Sequence, residues 1–303
     1  MIVGSKDTRD KSAGYQVLFC PCRAGERGSV LMKKVICAVL AAAMVVSLAA
    51  CGSSSSDSSS TSSSESSLTI TDGKLIVGTE AGFAPYEYMS GNDVVGVDMD
   101  ICQAIADDMG VELEIKNMDF DGALTAVQNG KVDLVAAGVS ISDERKEVMD
   151  FSHEYVDSTE VVVVNSENPA VTASADGLTG TDLDGKVVGV QQGNIADGWV
   201  SNSDNCAPAE VKRYTKFAQA AEDLKNGKID CIVMDQYPAE ELVSNNEGLE
   251  VMEGVLFEDK YAIAVEKGNE ALLEEINKVI DQLQEDGKID EFIANHGSAS
   301  SDQ

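Results

Sequence analysis

One pattern occurs twice in this chain with the same internal spacing. It reads Phe120-x-x-Ala123-x-x-x-Val127-x-Asn129-Gly130-Lys131-Val132-Asp133, and again Phe217-x-x-Ala220-x-x-x-Leu224-x-Asn226-Gly227-Lys228-Ile229-Asp230. Apolar residues three and four apart make one face of a helix, Asn-Gly ends it, and the chain turns into an apolar strand. A second pair precedes the first. Val77-Gly78-Thr79-Glu80-Ala81-Gly82-Phe83-Ala84 parallels Val188-Gly189-Val190-Gln191-Gln192-Gly193-Asn194-Ile195, each a strand end running into a loop of small residues. The chain therefore holds two similar α/β lobes.

Periodicity elsewhere agrees. In the first lobe it predicts strands at 75–79, 112–116 and 132–139, with helices at 98–109, 121–128 and 143–149. In the second it predicts strands at 187–190, 210–214, 229–234 and 249–252, with helices at 196–201, 218–225 and 239–245. Strands alternating with helices imply mostly parallel sheets. Ligands of such sheets sit beyond the carboxyl ends of the strands. The repeat thereby picks out two equivalent pairs, Glu80 with Gln191 and Gly138 with Asp235, as the positions that line a cleft between facing lobes.

The stretch from Asp133 to Tyr155, DLVAAGVSISDERKEVMDFSHEY, adds chemistry. A buried strand opens onto a helix start, so several backbone N–H groups converge near Gly138 and Ser140, a setting that attracts anions. Arg145 beside it brings a planar fork of donors suited to a carboxylate. The plainer reading has Ser140 and Ser142 capping the helix and Arg145 in solvent. Asp235 ends the apolar run IDCIVMD. It suits either a cationic ligand group or the N-cap of the next helix.

These segments resemble the family 3 extracellular solute-binding proteins, the amino-acid-binding components of ABC importers. AGVSISDERKEVMDFSHEY carries the likeness, with LIVGTEAGFAPYEY, GVDMDICQAIADDMG and MDFDGALTAVQNGKVDL ahead of it in order. The resemblance implies a type II periplasmic-binding-protein fold, two α/β lobes joined by a two-strand hinge. Lobe one would be 68–164 and 257–297, and lobe two 165–256, with crossovers near 164–167 and 255–259 and final helices at 269–285 and 289–295. It implies that Arg145 meets the α-carboxylate of a bound amino acid with help from Ser140 and Gly138, and that Asp235 meets the α-ammonium. Phe83 and Phe120 would pack on the ligand. Glu80 and Asp98 would face its side chain, though Asp98 also reads as a helix cap. Gln191, Gln192 and Asn194 would form the second lobe's contact loop. Where many relatives have Gly-Thr this chain has Gly193-Asn194. Glu80 inclines the choice of ligand toward arginine, lysine, ornithine or glutamine.

The chain's start carries a different signal. Residues 1–31 have no readable pattern and are consistent with upstream sequence ahead of a true start at Met32. Met32-Lys33-Lys34 then opens a positive segment, and 35–50 is apolar but too short to span a membrane comfortably. It ends Leu48-Ala49-Ala50-Cys51-Gly52, which resembles a bacterial lipobox, so 32–50 is expected to be removed and Cys51 lipidated. Residues 51–67 are almost all serine, a flexible tether, and 298–303 form a tail.

The formal net charge of −31 argues against nucleic acid as a partner. Cysteines and the two histidines show no zinc spacing, so neither metal nor cofactor is expected. A Cys206–Cys231 bridge stays open. The expected protein is a monomeric, lipid-anchored receptor on the outer face of the cell membrane, not an enzyme. Its partners would be a free amino acid and an ABC permease with its ATPase. Competing readings are a prephenate- or arogenate-dehydratase-like enzyme, with Glu80 or Asp235 as the acid or base, and a surface sensor or adhesin without a transporter.

Overall fold

The computed structural model describes residues 68–175 and 177–299. The signal segment, Cys51 and the serine tether lie outside the described residues, as do 300–303. Among the described residues no helix is long and apolar enough to cross a membrane.

The first lobe opens with β1 (Lys74–Thr79). A small antiparallel sheet follows, β2 (Gly82–Phe83), β3 (Glu87–Ser90) and β4 (Asp93–Val95), and then α1 (Val97–Met109). Next come β5 (Glu112–Asn117), α2 (Phe120–Gln128), β6 (Leu134–Val135), α3 (Asp143–Val148) and β7 (Met149–Phe151). The second lobe runs β8 (Val156–Asn165), β9 (Val187–Gln191), α4 (Ile195–Ser201), β10 (Glu210–Tyr214) and α5 (Phe217–Lys225). It continues through β11 (Cys231–Asp235), α6 (Gln236–Ser244), β12 (Leu249–Val251) and β13 (Phe257–Tyr261). The chain then returns as β14 (Ala264–Glu266), and α7 (Glu270–Glu285) and α8 (Lys288–Ala299) pack on α1.

The repeat is visible as geometry. Three parallel strands form the heart of each main sheet, in the orders β5-β1-β6 and β10-β9-β11. Antiparallel strands complete them, β14 and β7 in the first sheet and β8, β12 and β13 in the second; of these only β12, at 249–252, shows in the periodicity. The predicted strand at 132–139 shortens to β6, because the chain turns away at Gly138, where φ is +53°.

The last residue of each repeat explains why the pattern recurs. The Asp133 carboxylate accepts the Ile76 N–H at 2.7 Å and the Ile70 N–H at 2.6 Å, while Asp133 N–H donates to Ile76 O at 2.8 Å. Asp230 does the same to Val187, at 2.7 and 2.8 Å. Each aspartate ties the start of the strand that follows it to the parallel neighbour and fixes their register. The helix before it supplies a buried face, Phe120, Ala123, Leu124 and Val127 in α2 and Phe217, Ala220, Ala221 and Leu224 in α5.

Apolar runs split between two faces. Leu75 and Val77 join one core and Ile76 another, and the valines of β8 alternate in the same way. The core containing Leu75 also contains Phe83, Tyr261, Phe217 and Met234, so it is continuous from one lobe to the other.

The passages between sheets fall at residues 152–155 and 262–263. β8 lies wholly in the second sheet, so the outward passage comes ahead of the expected 164–167, and the return comes after the expected 255–259. A strand's sheet is decided by pairing partners far away in sequence, and periodicity does not carry that information. The two passages run side by side. Ser152 N–H donates to Ile263 O, Ile263 N–H to Ser152 Oγ and Tyr155 N–H to Tyr261 O, each at 2.9 Å. Cys102, Cys206 and Cys231 are buried and free, so the bridge left open by the sequence is not formed.

Replacing Asp133 by alanine leaves the Ile76 N–H without its acceptor at a strand junction. We expect a loss of about 1–3 kcal/mol in urea unfolding, the cost of an orphaned buried donor. An unchanged midpoint would remove Asp133 from this role.

Candidate functional site

The carboxyl ends of the parallel strands in the two lobes face one another, and the residues singled out by the repeat meet there. After β6 the chain passes through Gly138, where a Cβ would lie 2.7 Å from the Phe83 ring. Only glycine fits both that approach and the positive φ. Asp98 holds this loop from behind. Its carboxylate accepts the Gly138 N–H at 2.9 Å and the Tyr155 hydroxyl at 2.8 Å. Asp98 is fully buried and does not cap α1, whose N-cap is Gly96. Burial pushes its carboxyl up to about 6, against the pull of those two donors.

Ser142, not Ser140, caps α3, its hydroxyl accepting the Arg145 N–H at 3.2 Å. The Ser140 hydroxyl donates instead to Asp259 on β13. The Arg145 guanidinium donates to Ser140 O at 2.5 Å and to Gly193 O of the second lobe at 2.7 Å. It stands over the Phe120 ring at 5.6 Å and faces Asp259 and Asp235. Burial lowers its pKa to about 10 despite those anions, which leaves it charged at neutral pH. The plainer reading, a solvated arginine, is set aside by these contacts.

Asp235 occupies the N-cap position of α6 but makes no capping bond. Its carboxylate accepts from the Tyr261 hydroxyl and, at 3.0 Å, from the Ser158 hydroxyl. Burial raises its pKa to about 6. Oxygens of Asp235, Glu160 and Asp259 lie within 4.8 Å of one another.

Glu80 and Gln191 meet as the repeat implies. Gln191 Nε2 donates to Glu80 at 3.1 Å, and Lys216 Nζ pairs with the other Glu80 oxygen at 3.4 Å. Burial raises the Glu80 pKa, and Lys216 and Gln191 pull it back. Phe83 fills the space between these two poles and stacks on Phe217 from the second lobe, centroids 6.1 Å apart. Gln192 reaches across to Asp121 at 3.3 Å. Asn194 is buried and caps α4, accepting the Ala196 N–H at 3.1 Å. It borders a groove of about 400 Å³ together with Arg145, Asp197 and Arg213.

Gly138, Ser140, Arg145 and Asp235 thus gather at one pole, and Glu80 and Gln191 at the other. Asp98 stands behind the wall, and the Asn194 side chain is engaged with its own helix. The sequence reading missed Ser158, Glu160, Lys216, Asp259 and Tyr261. A charge inside the apolar run Thr159-Glu160-Val161-Val162 was a signal for Glu160. Phe217 was visible as the repeat partner of Phe120.

Two α/β lobes that set a guanidinium and carboxylates in the cleft between them define a two-lobed solute-binding protein. The chain belongs to the bacterial extracellular solute-binding proteins, family 3, which it matches over residues 75–299. The family works outside the cytoplasm, and its members bind solutes. The chain is 33% identical to the L-cystine-binding protein TcyJ of Escherichia coli over 72% of its own length and 80% of that protein. It is similar to the arginine-bound form of truncated ArgBP from T. maritima, at 38% identity and a TM-score of 0.64, covering 70% of this chain and 96% of that one. It is also similar to AbpA from Streptococcus pneumoniae bound to L-arginine, at 34% identity and a TM-score of 0.70, covering 76% and 97%.

Removing Lys216 leaves Glu80 buried without its cation. Glu80 is then costly when ionised and tolerable when protonated, so Lys216→Ala destabilises more above the carboxyl's pKa than below it. We expect a loss on the order of 1 kcal/mol at about pH 7.5 and less at about pH 5, read from urea unfolding. Equal losses at both would show that the pair carries no weight.

Proposed function

We propose that this chain captures a free amino acid outside the cytoplasm and hands it to an ABC importer, a permease with its ATPase, acting as a monomer without chemistry of its own. One observation carries the reading. A guanidinium from lobe one and the carboxylate of Asp235 from lobe two converge beside the turned backbone of Gly138 and Ser140. A zwitterion needs a cationic pole and an anionic pole a few ångströms apart, and these residues supply both. The relatives named for arginine and cystine support it. Arg145 would take the α-carboxylate with Ser140, Gly138 and the Gly193–Asn194 loop, and Asp235 the α-ammonium. Phe83 and Phe120 would line the space between.

Lobe one comprises the first main sheet with the final helices, and lobe two the second. They close about the paired passages at 152–155 and 262–263. Closure is a population shift driven by contacts made across the cleft, such as Arg145 to Gly193. Glu80 and Gln191 face the ligand's side chain. With Lys216 in place the Glu80 wall carries no net charge and suits a primary amide. With Lys216 displaced it suits arginine, lysine or ornithine.

The sequence Leu48-Ala49-Ala50-Cys51 supports removal of the signal segment and a lipid on Cys51, which would hold the receptor on the outer face of the membrane by its serine tether. Intact-mass analysis of the protein from membranes checks this, and residues ahead of Cys51 would contradict it.

Calorimetry of the full-length protein against the common amino acids, ornithine and cystine tests the capture reading. Arg145→Ala and Asp235→Ala should fold and each cost about 2–5 kcal/mol of binding, the range for truncating one partner of a buried charge pair. Wild-type affinity in either variant would remove that residue from the site.

A further inference from the structure

Glu160 is a group that the capture reading does not use. It lies on β8, directly opposite Asp235 on β11 in the antiparallel register and opposite Phe257 on β13, two residues from Asp259. Alternation along β13 puts Asp259 on the same face as Phe257. The three carboxylates share a space in which their oxygens approach within 4.8 Å. Asp235 has two hydroxyl donors, Ser158 and Tyr261, and Asp259 has Ser140. Glu160 is fully buried, and neither of its oxygens meets a donor among the described residues.

The surrounding charges do not balance. From α3, Arg145 faces Asp259 and Asp235. Lys260 on β13 is engaged with Glu154 and Asp157. From the turn before β3, Tyr86 packs edge-on against Tyr261 and brings no cation. Three ionised carboxylates against one guanidinium, at this spacing and away from water, are strongly unfavourable, so one of them holds a proton. Glu160, without a donor to stabilise its anion, is the one. Burial and the neighbouring Asp235 and Asp259 push its carboxyl well above the usual range.

We propose that Glu160 is the proton-bearing member of this cluster and that it releases its proton to solvent when an organic cation, an ammonium or guanidinium group, enters among Glu160, Asp235 and Asp259. Capture is then an exchange of cation for proton. The incoming N–H groups supply the donors that the Glu160 oxygens lack, and the O–H bond of the acid breaks as that cation takes its place. A groove of about 380 Å³ lined by Asp157, Ser158, Gln236, Tyr237, Asp259 and Lys260 opens at Asp259, and the proton leaves by it as hydronium or on buffer. The inference rests on the capture reading for the source of the cation, but the proton on Glu160 stands on this structure alone.

Two measurements on the full-length protein separate those parts. Infrared difference spectra, wild type minus Glu160→Gln at neutral pH without amino acid, should show the carbonyl stretch of one protonated carboxyl. Its absence overturns the proposal whatever the protein binds. Calorimetry with L-arginine and L-glutamine, the common amino acids, ornithine and cystine as probes, in buffers of different ionisation enthalpy, should show about one proton released per ligand. The slope of log affinity against pH at about neutral pH should then be steeper by about one in the wild type than in Glu160→Gln, in which the titration of Asp235 remains. Binding without proton release overturns the exchange and leaves capture intact. The infrared band with no binding of any probe overturns capture, and the exchange with it. Loss of the band on adding calcium alone would make the cluster a metal site and overturn the proposal.

Discussion

The cleft is organised around Arg145. Its guanidinium reaches a carbonyl of its own lobe at Ser140 and a carbonyl of the other lobe at Gly193. A half-buried guanidinium is tolerable only where acceptors and anions surround it. That requirement explains the company it keeps: the turned backbone after β6, the ring of Phe120, and the facing Asp235 and Asp259. The acids are in turn arranged by hydroxyls. Ser140, Ser158 and Tyr261 each donate to one of them, and Glu160 is left without a donor. Burial raises the carboxyls of all three acids, and the hydroxyls pull those of Asp235 and Asp259 back.

Much of this was legible in the sequence because the signals were local. The repeat survived as spacing because each copy must end a helix, turn and place an aspartate on the neighbouring strand within a few residues. Asp133 and Asp230 do so with nearly equal distances. Gly138, Ser140 and Arg145 were readable as one short motif, and Asp235 as the end of an apolar run. The small sheet of β2, β3 and β4 was not, since its strands are too short to show a period. The sheet to which β8 belongs was not legible either, because its partners β11, β12 and β13 come much later in the chain.

Side-chain roles were the least legible part. Asp98 and Asn194 lie near the cleft as the resemblance implied. Yet Asp98 spends its carboxylate on a backbone N–H and a tyrosine, and Asn194 on its own helix. Lys216 and Asp259 take their roles from partners far away in the chain, Glu80 and Ser140. A lysine before a helix, or an acid in a strand, gives no sign of the partner it meets from another part of the chain.

The paired passages between the lobes have a mechanical consequence. Tyr155 and Tyr261 stand at the two crossings and are joined backbone to backbone at 2.9 Å. The hydroxyl of Tyr155 grips Asp98 in the first lobe, and that of Tyr261 grips Asp235 in the second. Any rotation of one lobe against the other turns this ribbon, and the ribbon carries both phenol groups as levers. Torque at the hinge is therefore delivered directly to the carboxylates at the cleft floor. A hinge at these passages is thereby geared to Asp98 behind the cleft wall and to Asp235 within the cleft.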